Sequence, residues 1–235
     1  MALVKFGGGI VKMSGTIAGN TYARNRSGDY VRSWKNPVNP RTERQEAIKA
    51  IVSFLAEYWH QELTDAQRTA WESYADAVLM KNRLGDSINL TGFNHFIRTN
   101  AAILTMPETK LDAAPTILSL PEKDTSLTCS EESIASQEFT FTCDTDGWSA
   151  GVDDKLGILL YMGQPQLPSR NFFKGPWRYM DYIDDTEGAA GTGSYVAPFP
   201  FAEGQKVFFK ARIITVSGRL SEDWYLDARI VEADA

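Results

Sequence analysis

The chain has 235 residues, 43% of them hydrophobic, with a formal net charge of −6, two cysteines and two histidines. That length suits two domains, and the apolar share is enough for a buried core. With no run of about 18 apolar residues the sequence excludes a transmembrane helix, and two cysteines are too few for a disulfide framework.

The charge is unevenly placed. Residues 1–50 carry nine Lys/Arg against three Asp/Glu, whereas residues 101–150 carry two against nine. The basic end therefore suits an acidic partner, either the acidic half of a neighbouring copy or nucleic acid. The opening lacks the apolar stretch and cleavage site of a signal peptide, so the expectation is a chain made and kept in a cytoplasm or released by lysis. In that compartment Cys129 and Cys143 read as small buried thiols, with oxidation an alternative if neighbouring strands bring them face to face.

Residues 1–38 form a basic, glycine-punctuated arm with no helical period. Gly7, Gly8, Gly9, Gly15, Gly19 and Gly28 alternate with Arg24, Arg26, Arg32 and the aromatics Tyr22, Tyr30 and Trp34. Short β-like pieces fall at 15–19 and 30–34, and alternation puts Tyr30, Arg32 and Trp34 on one side. Gly7-Gly8-Gly9 is no phosphate loop, because Met13 follows Lys12 where a Ser or Thr is needed and no helix is signalled. Such a segment cannot bury a core of its own. About 30 extended residues reach about 100 Å at most, enough to leave the parent subunit. The expected contact residues of the arm are Tyr22, Arg24, Arg26, Tyr30, Arg32 and Trp34, with aromatic anchors and planar guanidinium donors for carboxylates.

Residues 39–106 read as a helical domain. Asn39-Pro40 is expected to open the first helix, which carries Ile48, Ile51, Val52, Leu55, Tyr58 and Trp59 on one face and runs to about Gln61. Thr64 and Gln67 form a capping box for a second helix with Ala70, Trp71, Tyr74, Ala75 and Val78 along one side. Thr91 caps a third helix bearing Phe93, Phe96, Ile97, Ala101 and Leu104. His60 and His95 have no Cys or carboxylate at ligand spacing, so both read as structural or solvated. Residues 107–116, with Pro107 and Pro115, lose the period and are expected to be a linker.

Residues 117–235 change to strand patterning. Phe139, Phe141 and Cys143 alternate with threonines, and 156–162 is an apolar run of strand length. Further strands are expected at 177–183, 194–199, 207–216 and 224–231, with a turn at Ser217-Gly218-Arg219. Six or seven strands suggest an antiparallel sandwich. The two cysteines are too close in sequence for the antibody disulfide, so a fibronectin-III-like topology fits better. The fold class expected is therefore α+β with two domains: an extended arm, a three-helix unit and an immunoglobulin/fibronectin-III-like β-sandwich.

Nothing in the sequence reads as catalytic. The acidic clusters Asp144/Asp146, Asp153/Asp154 and Asp184/Asp185/Glu187 fall in expected loops, where solvated acids are the favoured reading over acid/base chemistry or Ca²⁺ binding. No Ser, Cys or Thr stands with a base in a readable nucleophile pattern. The expectation is a non-enzyme without cofactor or metal. The segment Asn171–Tyr179 is richer: Phe172, Phe173, Trp177 and Tyr179 crowd a connection before a strand. They form a ligand-contact loop, or else Phe172 and Trp177 plug one open end of the sandwich.

The string at 13–26, MSGTIAGNTYARNR, followed by NPVNPRTERQ at 36–45 and LTDAQRTAW at 63–71, resembles a group of structural proteins of tailed phages and prophages. The resemblance covers about residues 7–100. It implies a virion context and carries no assigned site residues. A virion structural protein at the capsid surface, neck or tail is the first expectation, found in the virion and in the host cytoplasm during assembly. Its partners would be other virion proteins and copies of itself in a homo-oligomer, with no membrane. A carbohydrate- or receptor-binding accessory module ranks second, and a nucleic-acid-binding protein acting through the arm ranks third.

Overall fold

A computed structural model of the chain describes residues 2–3, 7–9, 13–25, 28–36, 38–81, 87–148, 151 and 154–233. Among the described residues it is a mixed α and β structure with four helices and several antiparallel sheets, dividing into two units at residues 46/47.

The first unit, Met1–Glu46, is built on a four-stranded sheet of β1 (Ala2–Leu3), β2 (Gly15–Ile17), β3 (Asn20–Asn25) and β4 (Gly28–Ser33), in the order β1-β4-β3-β2. The arm expected to be extended is thus paired. The β2–β3 reversal is tight: Gly19 supplies a positive φ, and Trp34 N–H donates to Gly19 O at 2.7 Å. The hydrogen bonds of the ladder come without burial, since no described side chain of this unit is buried. Ile17 is 56% exposed and Trp34 50%.

The second unit begins inside α1 (Glu43–Gln61), which starts three residues after the expected Pro40. Arg41 sits at φ +49°, outside the helical region, and Asn39 Oδ1 accepts from its N–H at 3.2 Å. The cap is instead Thr42, whose hydroxyl and N–H exchange hydrogen bonds with the Gln45 N–H and side chain. Only the C-terminal half of α1 is buried, through Leu55 and Trp59; Val52, expected on the buried face, is exposed. In α2 (Asp65–Ala77) the Thr64/Gln67 capping box forms as expected. Beyond it the short β5 (Met80–Lys81) pairs with β6 (Ser87–Ile88). Thr91 caps α3 (Gly92–Thr105), its hydroxyl accepting from Asn94 N–H. Gly92 lets α3 close onto α2: a Cβ there would lie 2.6 Å from Glu72 N. Trp59, Trp71, Tyr74 and Phe96 fill the helical cluster.

Seven strands form two antiparallel sheets. One is β7 (Thr128–Ser133), β8 (Glu138–Thr142) and, after α4 (Asp185–Ala190), β11 (Thr192–Val196), in the order β11-β8-β7. The other is β9 (Lys155–Gly163), β10 (Trp177–Ile183), β13 (Phe209–Thr215) and β14 (Trp224–Tyr225), in the order β10-β9-β13-β14. The two-residue β12 (Lys206–Val207) pairs with β15 (Arg229–Ile230) at the side. Phe139 and Phe141 of the first sheet meet Ile158, Leu160, Met162, Phe209 and Ala211 of the second in one buried cluster.

The opposite face of the four-stranded sheet is covered at one end by α3. Ala102, Ile103 and Met106 pack there on Leu159, Ile214 and Leu220. This explains the unbroken apolar run in β9: both faces are covered, so alternation disappears. It also means that residues 107–116 are not a free linker. Asn100, fully buried, donates to Leu111 O at 3.0 Å and accepts from Leu111 N at 2.7 Å, while Trp71 Nε1 donates to Asp112 O at 3.0 Å. Arg98 ties α3 to the strands by donating to Leu220 O and Ser221 O, each at 2.7 Å. The two prolines end the helical period, but the backbone beyond finds its polar partners on α2 and α3.

Candidate aromatic cleft on the four-stranded sheet

The outer face of the β10-β9-β13-β14 sheet is only partly covered by α3, and its remainder carries aromatic side chains. Register places Tyr179 opposite Tyr161, Tyr161 opposite Lys210, and Lys210 opposite Tyr225, so one row crosses all four strands on this face. Beside that row Trp177 pairs with Gly163. A Cβ on Gly163 would come within 2.5 Å of the Phe173 ring, so the missing side chain is what seats that ring against the sheet.

Phe173 stands edge-on to Trp177 at 5.0 Å and stacks on Phe208 at 5.8 Å; Trp177 lies 5.6 Å from Tyr225. Lys210 Nζ sits 4.7 Å from the Tyr161 ring centroid and 5.8 Å from that of Trp177, and its charge is paired with Asp223 at 2.9 Å. The result is a cleft of about 290 Å³ walled by Phe172, Phe173, Trp177, Phe208 and Tyr225, with Asn171 and Asp227 as polar groups in its lining.

Of the four residues expected to form a contact loop, Phe172, Phe173 and Trp177 come together here. Tyr179 does not line the cleft; it turns toward Tyr161 (5.8 Å, edge-on) in the cluster beneath α3. The alternative that Phe172 plugs an end of the strand layers is overturned, since Phe172 is 70% exposed. Phe208 and Tyr225 escape the sequence reading. They lie 36 and 53 residues beyond Phe172 and join the cleft through strand register, although the alternation of buried Phe209, Ala211 and Ile213 already marks Lys210 as outward.

The five described residues of the expected arm contact set do not share one face. Tyr22 lies opposite Val31 and Arg24 opposite Asp29, whereas Tyr30 faces Ala23 and Arg32 faces Thr21. Tyr22 and Arg24 therefore occupy one face, and Tyr30 and Arg32 the other, with Trp34 following their alternation. Arg24 Nε also lies 3.9 Å from Asp29. Arg26 lies outside the described residues.

The remaining candidate groups have structural tasks. Asp185 and Glu187 lie in α4 and not in a loop; Asp184 caps that helix, accepting from Glu187 N–H at 2.8 Å, and Glu187 accepts from the Tyr195 hydroxyl. Asp144 accepts from Asp146 N–H at 3.0 Å. Asp153 lies outside the described residues. Among the described residues no group of three or more His, Cys, Asp or Glu could hold a metal ion. Both cysteines are free thiols. Burial pushes the Cys129 thiol up to about 12, which leaves it protonated and inert at neutral pH. His60 is exposed, while His95 is fully buried, edge-on to Tyr74 at 5.2 Å, with no hydrogen-bond partner on Nε2 among the described residues. Burial, and secondarily Arg98, holds its pKa below the ordinary value. A second cleft of about 420 Å³ is lined by Glu122, Lys155 and Arg219, but Lys155 is paired with Asp124 at 2.9 Å and Arg219 donates to Ser119 O at 3.2 Å. No helix among the described residues is long and apolar enough to cross a membrane.

No protein-family profile and no curated protein matches this chain. Among solved structures, the twitchin kinase region of C. elegans aligns at 9% identity over 49% of this chain and 17% of its own length. The TM-score of 0.34 is too low for that likeness to carry an argument.

Proposed function

We propose that the chain is a non-enzymatic structural subunit of a tailed-phage virion, joined to its neighbours through the N-terminal unit. The observation that carries this reading is the four-stranded sheet of residues 2–33, in which no described side chain is buried. Paired strands without a covered apolar face are marginal in water. Ile17 and Trp34 are exposed and Tyr30 is half-covered, so a surface supplied by another molecule would give them cover, and the basic character of the segment favours an acidic one. The virion context rests on the motif at 13–26 and 36–45. The strand order, three strands in one sheet and four in the other with β7-β8-β11 opposite β10-β9-β13-β14, supports reading the strand region as a fibronectin-III-like sandwich, a module suited to display on a particle.

Nucleic-acid binding through the same unit is less well supported. Among the described residues its aromatics and arginines divide between two faces, and Arg24 is near Asp29, so those residues form no single basic stripe. Sedimentation of the full chain and of a chain lacking residues 1–38 tests the proposal. Concentration-dependent self-association, or capture by purified particles, is expected of the full chain alone. Equal behaviour of the two chains would sink the reading. Retention on DNA that weakens steeply with salt would favour the nucleic-acid alternative.

A further inference from the structure

We propose that the aromatic cleft of the four-stranded sheet is a carbohydrate site that stacks a neutral pyranose ring. All the residues lining it belong to the second unit. Three observations converge on this ligand class. The first is the wall itself: Phe173, Trp177, Phe208 and Tyr225 form a chain of ring contacts at 5.0–5.8 Å, so the rings hold one another in place before any ligand arrives. Phe172 is 70% exposed and Tyr225 66%, which leaves aromatic surface available. The electron-rich face of an aromatic ring attracts weakly positive C–H groups, and a pyranose presents such groups on its flat side.

The second is the polar complement. Asn171 offers an amide and Asp227 a carboxylate in the same lining, the donors and acceptors that ring hydroxyls require. Asn171 Oδ1 is approached by Lys206 Nζ at 3.4 Å, which orients the amide. The third is charge. Lys210, 5.8 Å from the Trp177 ring centroid, is paired with Asp223, and Arg212 Nε lies 3.0 Å from the same carboxylate, close enough for an ion pair though not aligned as a hydrogen bond. Lys206 Nζ also lies 5.8 Å from the Phe208 ring, but the one charged side chain among the described residues lining the cleft is Asp227, a carboxylate that disfavours a phosphate-bearing ligand. The cleft's size, about 290 Å³, lies at the lower end of small-molecule sites (about 300–1,000 Å³) and suits one or two sugar units.

Gly163 is a positioning residue in this scheme, because Phe173 occupies the space a Cβ would take. Gly163→Ala leaves the ligand-facing side chains chemically intact and displaces only that ring.

The test applies the full chain to an immobilised array of neutral hexose, N-acetylhexosamine and deoxyhexose oligosaccharides, with a proline-rich peptide and a dT oligonucleotide as comparators. The best oligosaccharide is then titrated while tryptophan fluorescence is followed. Binding is expected for at least one sugar, with a change in emission. Tyr225→Ser and Phe172→Ser, both at exposed positions, are expected to weaken it about tenfold or more, and Gly163→Ala to weaken it as well. No binding across the sugars, binding unaltered in both serine variants, or binding of the peptide or oligonucleotide alone would each overturn the proposal. The far-UV and thermal profiles of the serine variants, expected to match the parent, separate loss of the site from loss of the fold.

Discussion

Two four-stranded antiparallel sheets in the same chain stand at opposite extremes of burial. The N-terminal sheet has a continuous ladder and a tight glycine turn, yet none of its described side chains is buried. The β10-β9-β13-β14 sheet has a similar ladder, but one face meets the β11-β8-β7 sheet and part of the other meets α3. Backbone hydrogen bonds exchange for water at small net gain, so the contrast isolates what side-chain burial adds. The first sheet has no buried side chain among its described residues, and the second is the wall of a core.

The sharpest way to break this contrast is to truncate one apolar side chain in each. Leu160→Ala in β9 is expected to cost about 3–5 kcal/mol in urea unfolding, whereas Ile17→Ala in β2 is expected to stay within about 0.5 kcal/mol. Comparable costs would mean that the N-terminal sheet is also part of a packed core. Next in size is Asn100→Ala, which strands the Leu111 N–H and C=O in a buried site. A loss of about 2–4 kcal/mol in the same assay is expected, and a loss below about 1 kcal/mol would show that the 107–116 segment is not clamped.

Acidity gives a smaller effect confined to the second unit. The folded-state pKa of His95 lies below its ordinary value of 6.5, so the unfolded chain binds the extra proton. The stabilisation is therefore complete above about pH 6.5 and declines as the pH falls below it. Comparing urea midpoints at pH 7.5 and 5.5, His95→Phe is expected to lose less stability on acidification than the parent. An unchanged pH slope would show that this imidazole does not titrate between the two states. The mildest probe perturbs nothing: in hydrogen exchange, amides of β3 and β4 should exchange roughly a hundredfold faster than those of β9 and β13 in the isolated chain, and slow on assembly.

The sequence exposes the same contrast unevenly. Thr64/Gln67 and Thr91 mark helix starts because a side-chain cap is a local device, complete within four residues. The true start of α1 at Thr42 is hidden by Asn39-Pro40, an equally good signal that Arg41's left-handed backbone cancels. Strand β7, TCSEES, is missed because its polar residues show no apolar alternation, and α4 is too short to show a period. For α3 only one apolar face is legible. His95, Thr99 and Asn100 are buried by two neighbouring layers, and polar residues announce such burial only once the partners Gly218 and Leu111 are known. The cleft divides likewise. Phe172, Phe173 and Trp177 are adjacent in sequence, but Phe208 and Tyr225 reach them through strand pairing.

Helix α3 belongs to both the helical cluster and the cluster against the sheet, through Phe96 on one flank and Ile103 and Met106 on the other. The strand region is therefore not a transplantable cassette. Excised at 117, it would present Leu159, Ile214 and Leu220 to solvent. A chain nicked between 107 and 116, by contrast, would keep its two fragments together as one particle.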